Sequence, residues 1–157
     1  MIHRLFESIR NKDSKAVRDI LEAQPLLVNE KDLRGSTPLL LATYFGFVEI
    51  SEIILQYPQH IDAQDVTGNT ALMGVCFKGH EELAKLLIEN GANVNSRNFN
   101  GATALIFAAS FGRTTIATLL LECGADPSIK DDSGNMAMDH AKMQGISEIV
   151  KLLESVA

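Results

Sequence analysis

The residue types that could perform chemistry are concentrated near the C-terminal end of the sequence. Asp139 and His140 are adjacent, and Cys123 lies a short distance before them. A carboxylate, an imidazole and a thiol could support acid–base and nucleophilic catalysis. An enzyme hypothesis requires at least two of these side chains within hydrogen-bonding reach in a concave pocket. Their placement does not favour it, because Cys123 falls at the end of one predicted helix and His140, expected to be partly buried, within the next.

The rest of the sequence contains no pattern typical of a metal, cofactor or nucleotide site. A metal ion needs three or four converging ligands, whereas the four histidines are scattered at His3, His60, His80 and His140. The glycines are explained by turns and form no phosphate-binding loop. We therefore predict no enzyme activity, no metal site and no cofactor.

The composition restricts the class of protein. The chain has 157 residues, of which 46% are apolar and 22% charged, with a net charge of −6. These values are typical of one globular domain or one array of small units. An acidic chain is a poor candidate for binding nucleic acid or an anionic membrane. We find neither a signal peptide nor a membrane-spanning apolar run, and two cysteines are too few for a disulfide framework. The composition predicts a cytoplasmic protein.

The elements that would position any functional residue come from an internal repeat. One series of glycines recurs every 33 residues, at Gly35, Gly68, Gly101 and Gly134. A second series has the same spacing, at Gly46, Gly79, Gly112 and Gly145. Two glycine series in phase indicate a tandem array of similar structural units.

Each unit is predicted to contain a short helix, a turn with the second glycine, a longer helix and a polar connection. Thr37 followed by Pro38 is typical of a helix start, with a capping hydroxyl and a proline in the first turn. Ile50, Ile53 and Ile54 have the i, i+3, i+4 spacing of a buried helix face. A unit of this size buries its apolar faces only against its neighbours, so the sequence predicts a stack of helical units.

A family resemblance is carried by the motif that begins each unit. It reads Gly35-Ser36-Thr37-Pro38-Leu39, Gly68-Asn69-Thr70-Ala71-Leu72 and Gly101-Ala102-Thr103-Ala104-Leu105. This motif resembles that of ankyrin repeats, and the resemblance covers nearly the whole chain. It implies an all-α ankyrin-repeat solenoid of helix-turn-helix units joined by hairpin-like loops. The single domain, 1–157, would comprise a degenerate N-terminal capping repeat at 1–31, full repeats at 32–64, 65–97 and 98–130, and a C-terminal capping repeat at 131–157.

Individual positions within the repeat carry further expectations. Gly74 lies inside a predicted first helix where neighbouring units have large apolar residues. Glycine costs about 1 kcal/mol relative to alanine at such a position, and we expect Phe107, one unit later, to fill the space. The resemblance implies a structural role for His80, since histidine is common there in the family. Cys76 occupies a small-residue position and is expected to be buried, whereas Cys123 is expected to be exposed.

The resemblance also implies where a partner would bind. In similar proteins, partners dock on the hairpin tips and on the exposed face of the first helices. Five of the nine aromatic residues fall at these places, and aromatic residues dominate binding hot spots. We predict a partner-binding surface that comprises Leu33, Arg34, Tyr44, Phe45, Val66, Asn69, Phe77, Lys78, Phe99, Phe111 and Met143.

The charge pattern bears on the kind of partner. No Lys or Arg occurs from Gly35 through Phe77, although Glu49, Glu52 and Asp65 do, which favours a protein partner with basic and apolar features. With no second domain in the sequence, we expect a monomer that masks one target, as an inhibitor or immunity-type protein would. A scaffold that bridges two partners is the alternative within the binding class, and a passive spacer is disfavoured by the predicted surface aromatics.

Overall fold

The computed structural model describes all 157 residues, and every regular element in it is helical. The ten α-helices follow in chain order: α1 (Ile2–Arg10), α2 (Ser14–Ala23), α3 (Pro38–Tyr44), α4 (Val48–Leu55), α5 (Ala71–Lys78), α6 (Glu81–Glu89), α7 (Ala104–Ser110), α8 (Thr114–Glu122), α9 (Ala137–Gln144) and α10 (Ser147–Ser155). A short 3₁₀ helix, Pro25–Asn29, follows α2. The predicted all-α solenoid is confirmed. No helix is long and apolar enough to cross a bilayer.

The helices form two layers that run the length of the stack. The odd-numbered helices α1, α3, α5, α7 and α9, called the inner helices, pack successively against one another. The even-numbered helices, called the outer helices, form the second layer, and each packs against the inner helix of its own unit. Each interior unit therefore has neighbours on both sides, and the apolar core extends continuously between the two layers.

The start of each central inner helix is fixed by a threonine. The side chains of Thr37, Thr70 and Thr103 each accept a hydrogen bond from the backbone N–H three residues later, at 3.2–3.3 Å. All three threonines are buried, so the hydroxyl satisfies an N–H group that water could not reach. The helix start predicted at Thr37 is confirmed.

A tight turn precedes each inner helix from α3 onward, and we call these the hairpin turns. Asp32 Oδ1 accepts hydrogen bonds from the N–H groups of Arg34 and Ser36 at 2.9 and 3.0 Å. The same pair of bonds recurs in the next three units, at Asp65, Asn98 and Asp131. Successive hairpin turns are joined by backbone bonds, such as Phe99 N–H to the Thr67 carbonyl at 3.2 Å. The turns consequently form a connected edge along one side of the inner helices.

The first unit lacks both glycines of the repeat but keeps the helix-turn-helix form. Its two helices are joined through Lys12, the one non-glycine residue with positive φ, at 56°. Lys12 occupies the place that Gly46 takes between α3 and α4. Its ammonium group lies 5.4 Å from the centre of the Phe47 ring, a cation–π contact that partly offsets the cost of the left-handed backbone.

Candidate protein-binding groove

A groove of about 740 Å³ lies over the inner helices of the second and third units. Its floor is formed by α3 and α5, and one side is formed by the hairpin turns. More than half of the lining residues are apolar, including Leu40, Leu41 and Met73. No outer-helix residue lines it. The groove is therefore an open surface of the inner layer.

Aromatic rings form much of the groove wall. Tyr44, Phe45 and Phe77 line it and are 36–47% exposed. Phe111 lies beside the groove, with its ring 4.7 Å from the Phe77 ring in an edge-to-face arrangement. Phe107 lines the groove and stacks on Phe111 at 6.5 Å. The exposed rings thus form two groups, Tyr44 with Phe45 and Phe77 with Phe111, which together extend over three units.

Gly74 leaves the groove open at its centre. The expectation that Phe107 fills this space is wrong. A Cβ added to Gly74 would have only Tyr44 Cδ1 within 4 Å, at 3.7 Å. Phe107 instead forms a wall of the groove. The space arises because the equivalent positions of the two neighbouring units, Leu41 and Phe107, carry large side chains while Gly74 carries none.

The charged groups around the groove are two arginines, two aspartates and one lysine. Asp32 and Asp65 line the groove but already accept backbone N–H bonds within their hairpin turns. Arg10 is 3.5 Å from the second oxygen of Asp32. Arg34 has no carboxylate within 4.0 Å, and neither has Lys78, whose ammonium lies 5.1 Å from the centre of the Tyr44 ring. Asp65 likewise has no cationic side chain within 4.0 Å, so the charges without an ion-pair partner beside the groove are Arg34, Lys78 and Asp65.

Two side chains from following units hold the aromatic positions in place. A ring nitrogen of His80 lies 3.2 Å from the Tyr44 carbonyl oxygen, and Arg113 donates from Nη2 to the Phe77 carbonyl at 2.8 Å. Both carbonyls belong to the last turn of an inner helix, where no intrahelical donor is available. His80 therefore has the structural contact expected from its position, and Arg113 performs the same task one unit later.

The comparison with known proteins concerns the repeat that builds this groove. A family model described as ankyrin repeats (3 copies) matches residues 5–98 and again residues 75–155. The chain belongs to the ankyrin-repeat family. Ankyrin repeats are protein–protein interaction modules and generally have no enzymatic activity of their own. A search of curated proteins found no match.

The ankyrin groove brings together some of the predicted partner-binding residues and leaves others apart. Six line it directly: Arg34, Tyr44, Phe45, Val66, Asn69 and Phe77. Phe111 and Lys78 adjoin it through their contacts with Phe77 and Tyr44. Leu33 and Met143 are exposed elsewhere. Phe99 lines a separate polar cleft of about 540 Å³ beside Val28 and His60.

The structure separates the three residues of the enzyme hypothesis. Asp139 accepts the Met136 N–H at 2.8 Å and so caps α9, while His140 contacts Asp131 at 2.7 Å. No hydrogen bond joins any two of Asp139, His140 and Cys123. Cys123 is exposed and Cys76 is buried, as predicted. Burial raises the pKa of the Cys76 thiol to about 12, which keeps it protonated and unreactive.

The hydrogen-bonded carboxylate of Asp131, in the last ankyrin repeat, gives the fold a pH dependence. Desolvation raises the pKa of Asp131, but hydrogen bonds from Asn135, His140 and Ser133 together lower that pKa by more. The pKa of Asp131 therefore lies below its ordinary value of 3.8. A carboxylate with a lowered pKa stabilises the fold above its unfolded pKa, and that stability is lost as the pH falls through the folded pKa.

We therefore expect Asp131→Asn to destabilise the protein at about pH 5, with a difference that shrinks below about pH 4. Asparagine can still accept the two hairpin N–H bonds, as Asn98 does one unit earlier. The variant thus removes the charge facing His140 and keeps the turn. Urea unfolding at a series of pH values measures the effect. A difference that does not change with pH would contradict this account.

Proposed function

We propose that the protein binds another protein in the groove formed by α3 and α5 and acts as an inhibitor or immunity-type protein by covering that partner's functional surface. The observation that carries the proposal is the set of exposed aromatic rings around an open apolar groove. Tyr44, Phe45, Phe77 and Phe111 remain 36–47% exposed after folding. Covering such rings removes apolar surface from water at low entropic cost, as in binding hot spots.

The dimensions of the surface are consistent with a protein partner. Adjacent inner helices lie about 8–10 Å apart in packed helical arrays. The aromatic rings extend over three units, and a typical stable interface needs about 800 Å² on each side. We further propose that the protein acts as a monomer in the cytoplasm. Both of its cysteines are free thiols, which suits a reducing compartment.

Affinity capture from the native cell extract tests this function with a double substitution, Phe77→Ala with Phe111→Ala. We expect the variant to lose the protein captured by the wild type, because it removes two contacting rings beside the groove. Circular dichroism and thermal melting establish that the variant remains folded. Phe99→Ala is the matched control, since it removes an exposed ring that does not line this groove.

Two results would count against the proposed function. Equal capture by the wild type and the folded double variant would place the binding surface elsewhere. Loss of capture by Phe99→Ala alone would place the binding surface at the hairpin turns and the polar cleft lined by Phe99.

A further inference from the structure

The opening over Gly74 is a gap in a row of side chains that is otherwise filled. Gly74 has a backbone conformation that any residue can adopt, and a Cβ there would make only an ordinary contact with Tyr44. Alanine would therefore fit and would favour the helix. The fold gains nothing from the missing side chain, since no neighbour packs into the space. An apolar group from outside can occupy it between the Tyr44 and Phe107 rings.

The charges at this opening determine what else the occupant carries. The carboxylates of Asp32 and Asp65 are engaged with backbone N–H groups. Arg34 has no anionic partner, and Lys78 contacts only the face of the Tyr44 ring. Both residues are exposed, Arg34 in the groove lining and Lys78 over the Tyr44 ring, so a carboxylate from a partner can reach them and form charge-assisted hydrogen bonds.

Of the acidic residues that suggested a basic partner, only Asp65 lies at the groove, and its Oδ1 already accepts hydrogen bonds from Thr67 and Asn69. Glu49 and Glu52 belong to α4, an outer helix, and neither lines the groove. Glu49 lies 4.0 Å from Arg18 of α2, within the outer layer. The carboxylates of Glu49 and Glu52 therefore belong to the outer layer of the solenoid, away from the aromatic rings.

We propose that the groove recognises a segment of the partner in which an apolar side chain stands next to a carboxylate. The apolar side chain occupies the space over Gly74, between Tyr44 and Phe107, and the carboxylate pairs with Arg34 and Lys78. This inference rests on the proposed function and specifies the partner's chemistry as acidic and apolar. The groove's volume of about 740 Å³ is within the range of sites that enclose small ligands and a few side chains.

Selection of random linear peptides displayed on phage tests the partner chemistry directly. The wild-type protein is immobilised, and the enriched sequences are compared with the starting library. We expect enrichment of Leu or an aromatic residue within a few positions of Asp or Glu. Enrichment of Lys or Arg beside the apolar residue would overturn the inference, and so would a failure of the folded protein to select any sequence.

Binding of one selected peptide, labelled with a fluorophore, assigns the two contacts. Gly74→Leu fills the opening and is expected to abolish binding, whereas Thr115→Leu, which places the same side chain at an exposed position of α8, is expected to leave it unchanged. Because the groove has room for the new side chain, Gly74→Leu should melt no lower than the wild type. Unchanged peptide affinity in Gly74→Leu would overturn the proposal that the apolar side chain binds in the space over Gly74.

The charge contact has its own matched pair of variants. Arg34→Glu with Lys78→Glu is expected to weaken peptide binding by at least about tenfold, with a smaller loss at high salt. Lys85→Glu with Lys151→Glu makes the same change in net charge on the outer helices α6 and α10 and should leave affinity unchanged. An equal loss of peptide affinity in both double variants would show that the effect arises from net charge alone. It would overturn the proposed contact of the carboxylate with Arg34 and Lys78.

The outcome for this inference is distinguishable from the outcome for the proposed function. If Phe77→Ala with Phe111→Ala loses the captured protein but the selected peptides are basic, the protein-binding function stands and the partner chemistry fails. If capture is unaffected by that double variant, the proposed function fails whatever peptides are selected.

Discussion

Gly68→Ala is expected to lower the free energy of unfolding by about 3 kcal/mol, the sum of two separate costs. The first is conformational, because φ at Gly68 is +81°, a left-handed region that costs an ordinary residue about 1–2 kcal/mol. The second is steric. A Cβ at Gly68 would lie 2.5 Å from the Phe99 backbone nitrogen and 2.7 Å from two atoms of the Phe99 ring.

The steric cost cannot be relieved by a side-chain rotation, since the nearest atom belongs to the backbone of the next hairpin turn. Moving Phe99 away would weaken its N–H bond to the Thr67 carbonyl, which joins the two turns. A loss of about 3 kcal/mol corresponds to a fall in Tm of roughly 6–12 °C for a protein of this size. Thermal melting by circular dichroism measures it.

Gly134→Ala separates the two costs. Gly134 holds the same position in its own hairpin turn with φ of +82°, but a Cβ there has no atom within 4 Å. Only the conformational cost remains, so we expect a loss of about 1 kcal/mol. Equal losses in the two variants would mean that contact between successive hairpin turns contributes nothing to the cost.

The difference between Gly68 and Gly134 shows which parts of the fold can be predicted from sequence. Positions that act within one unit are predictable, because the physical rule needs only local spacing. A threonine before the inner helix caps it, and the turn glycines have positive φ. These features recur every 33 residues, so each unit repeats the evidence given by the others.

Contacts between units were harder to predict because they depend on how far each unit rotates relative to the last. The expectation for Gly74 was wrong for this reason: Tyr44 of the preceding unit comes nearest, and Phe107 of the following unit does not reach the space. The carbonyl contacts of His80 and Arg113 also join successive units. For Arg113, the sequence carried no signal, since an arginine at this position appears in one unit only.

The candidate groove combines predictable positions with unpredicted ones. The aromatic residues Tyr44, Phe45 and Phe77 were identified because the repeat does not require large rings at those positions. Arg10 was missed, because it lies in the first unit, whose glycines are absent and whose register the repeat does not define. The linear charge pattern combined residues of different layers, since Glu49 and Glu52 lie on an outer helix whereas Asp65 lines the groove.

Leu72→Ala is expected to lower the free energy of unfolding by about 2–5 kcal/mol, and to do so for the whole array. Leu72 lies on α5 in the central unit and is 1% exposed. Truncating it leaves a cavity that rigid helices on both sides cannot close. In a repeat array, stability is the sum of unit and interface contributions. A defect in the central unit therefore weakens the interfaces with the units before and after it.

Leu153→Ala is the matched comparison, because Leu153 is also buried, at 2% exposed, but lies on the last helix, α10. Its unit packs against only one neighbour, so the cavity can be relieved by local opening of α9 and α10. Amide hydrogen exchange should show faster exchange throughout the chain in Leu72→Ala, but mainly in α9 and α10 in Leu153→Ala. Uniformly faster amide exchange in both variants would mean that a defect at either position unfolds the whole array. In that case the groove could not remain formed while the last repeat opens.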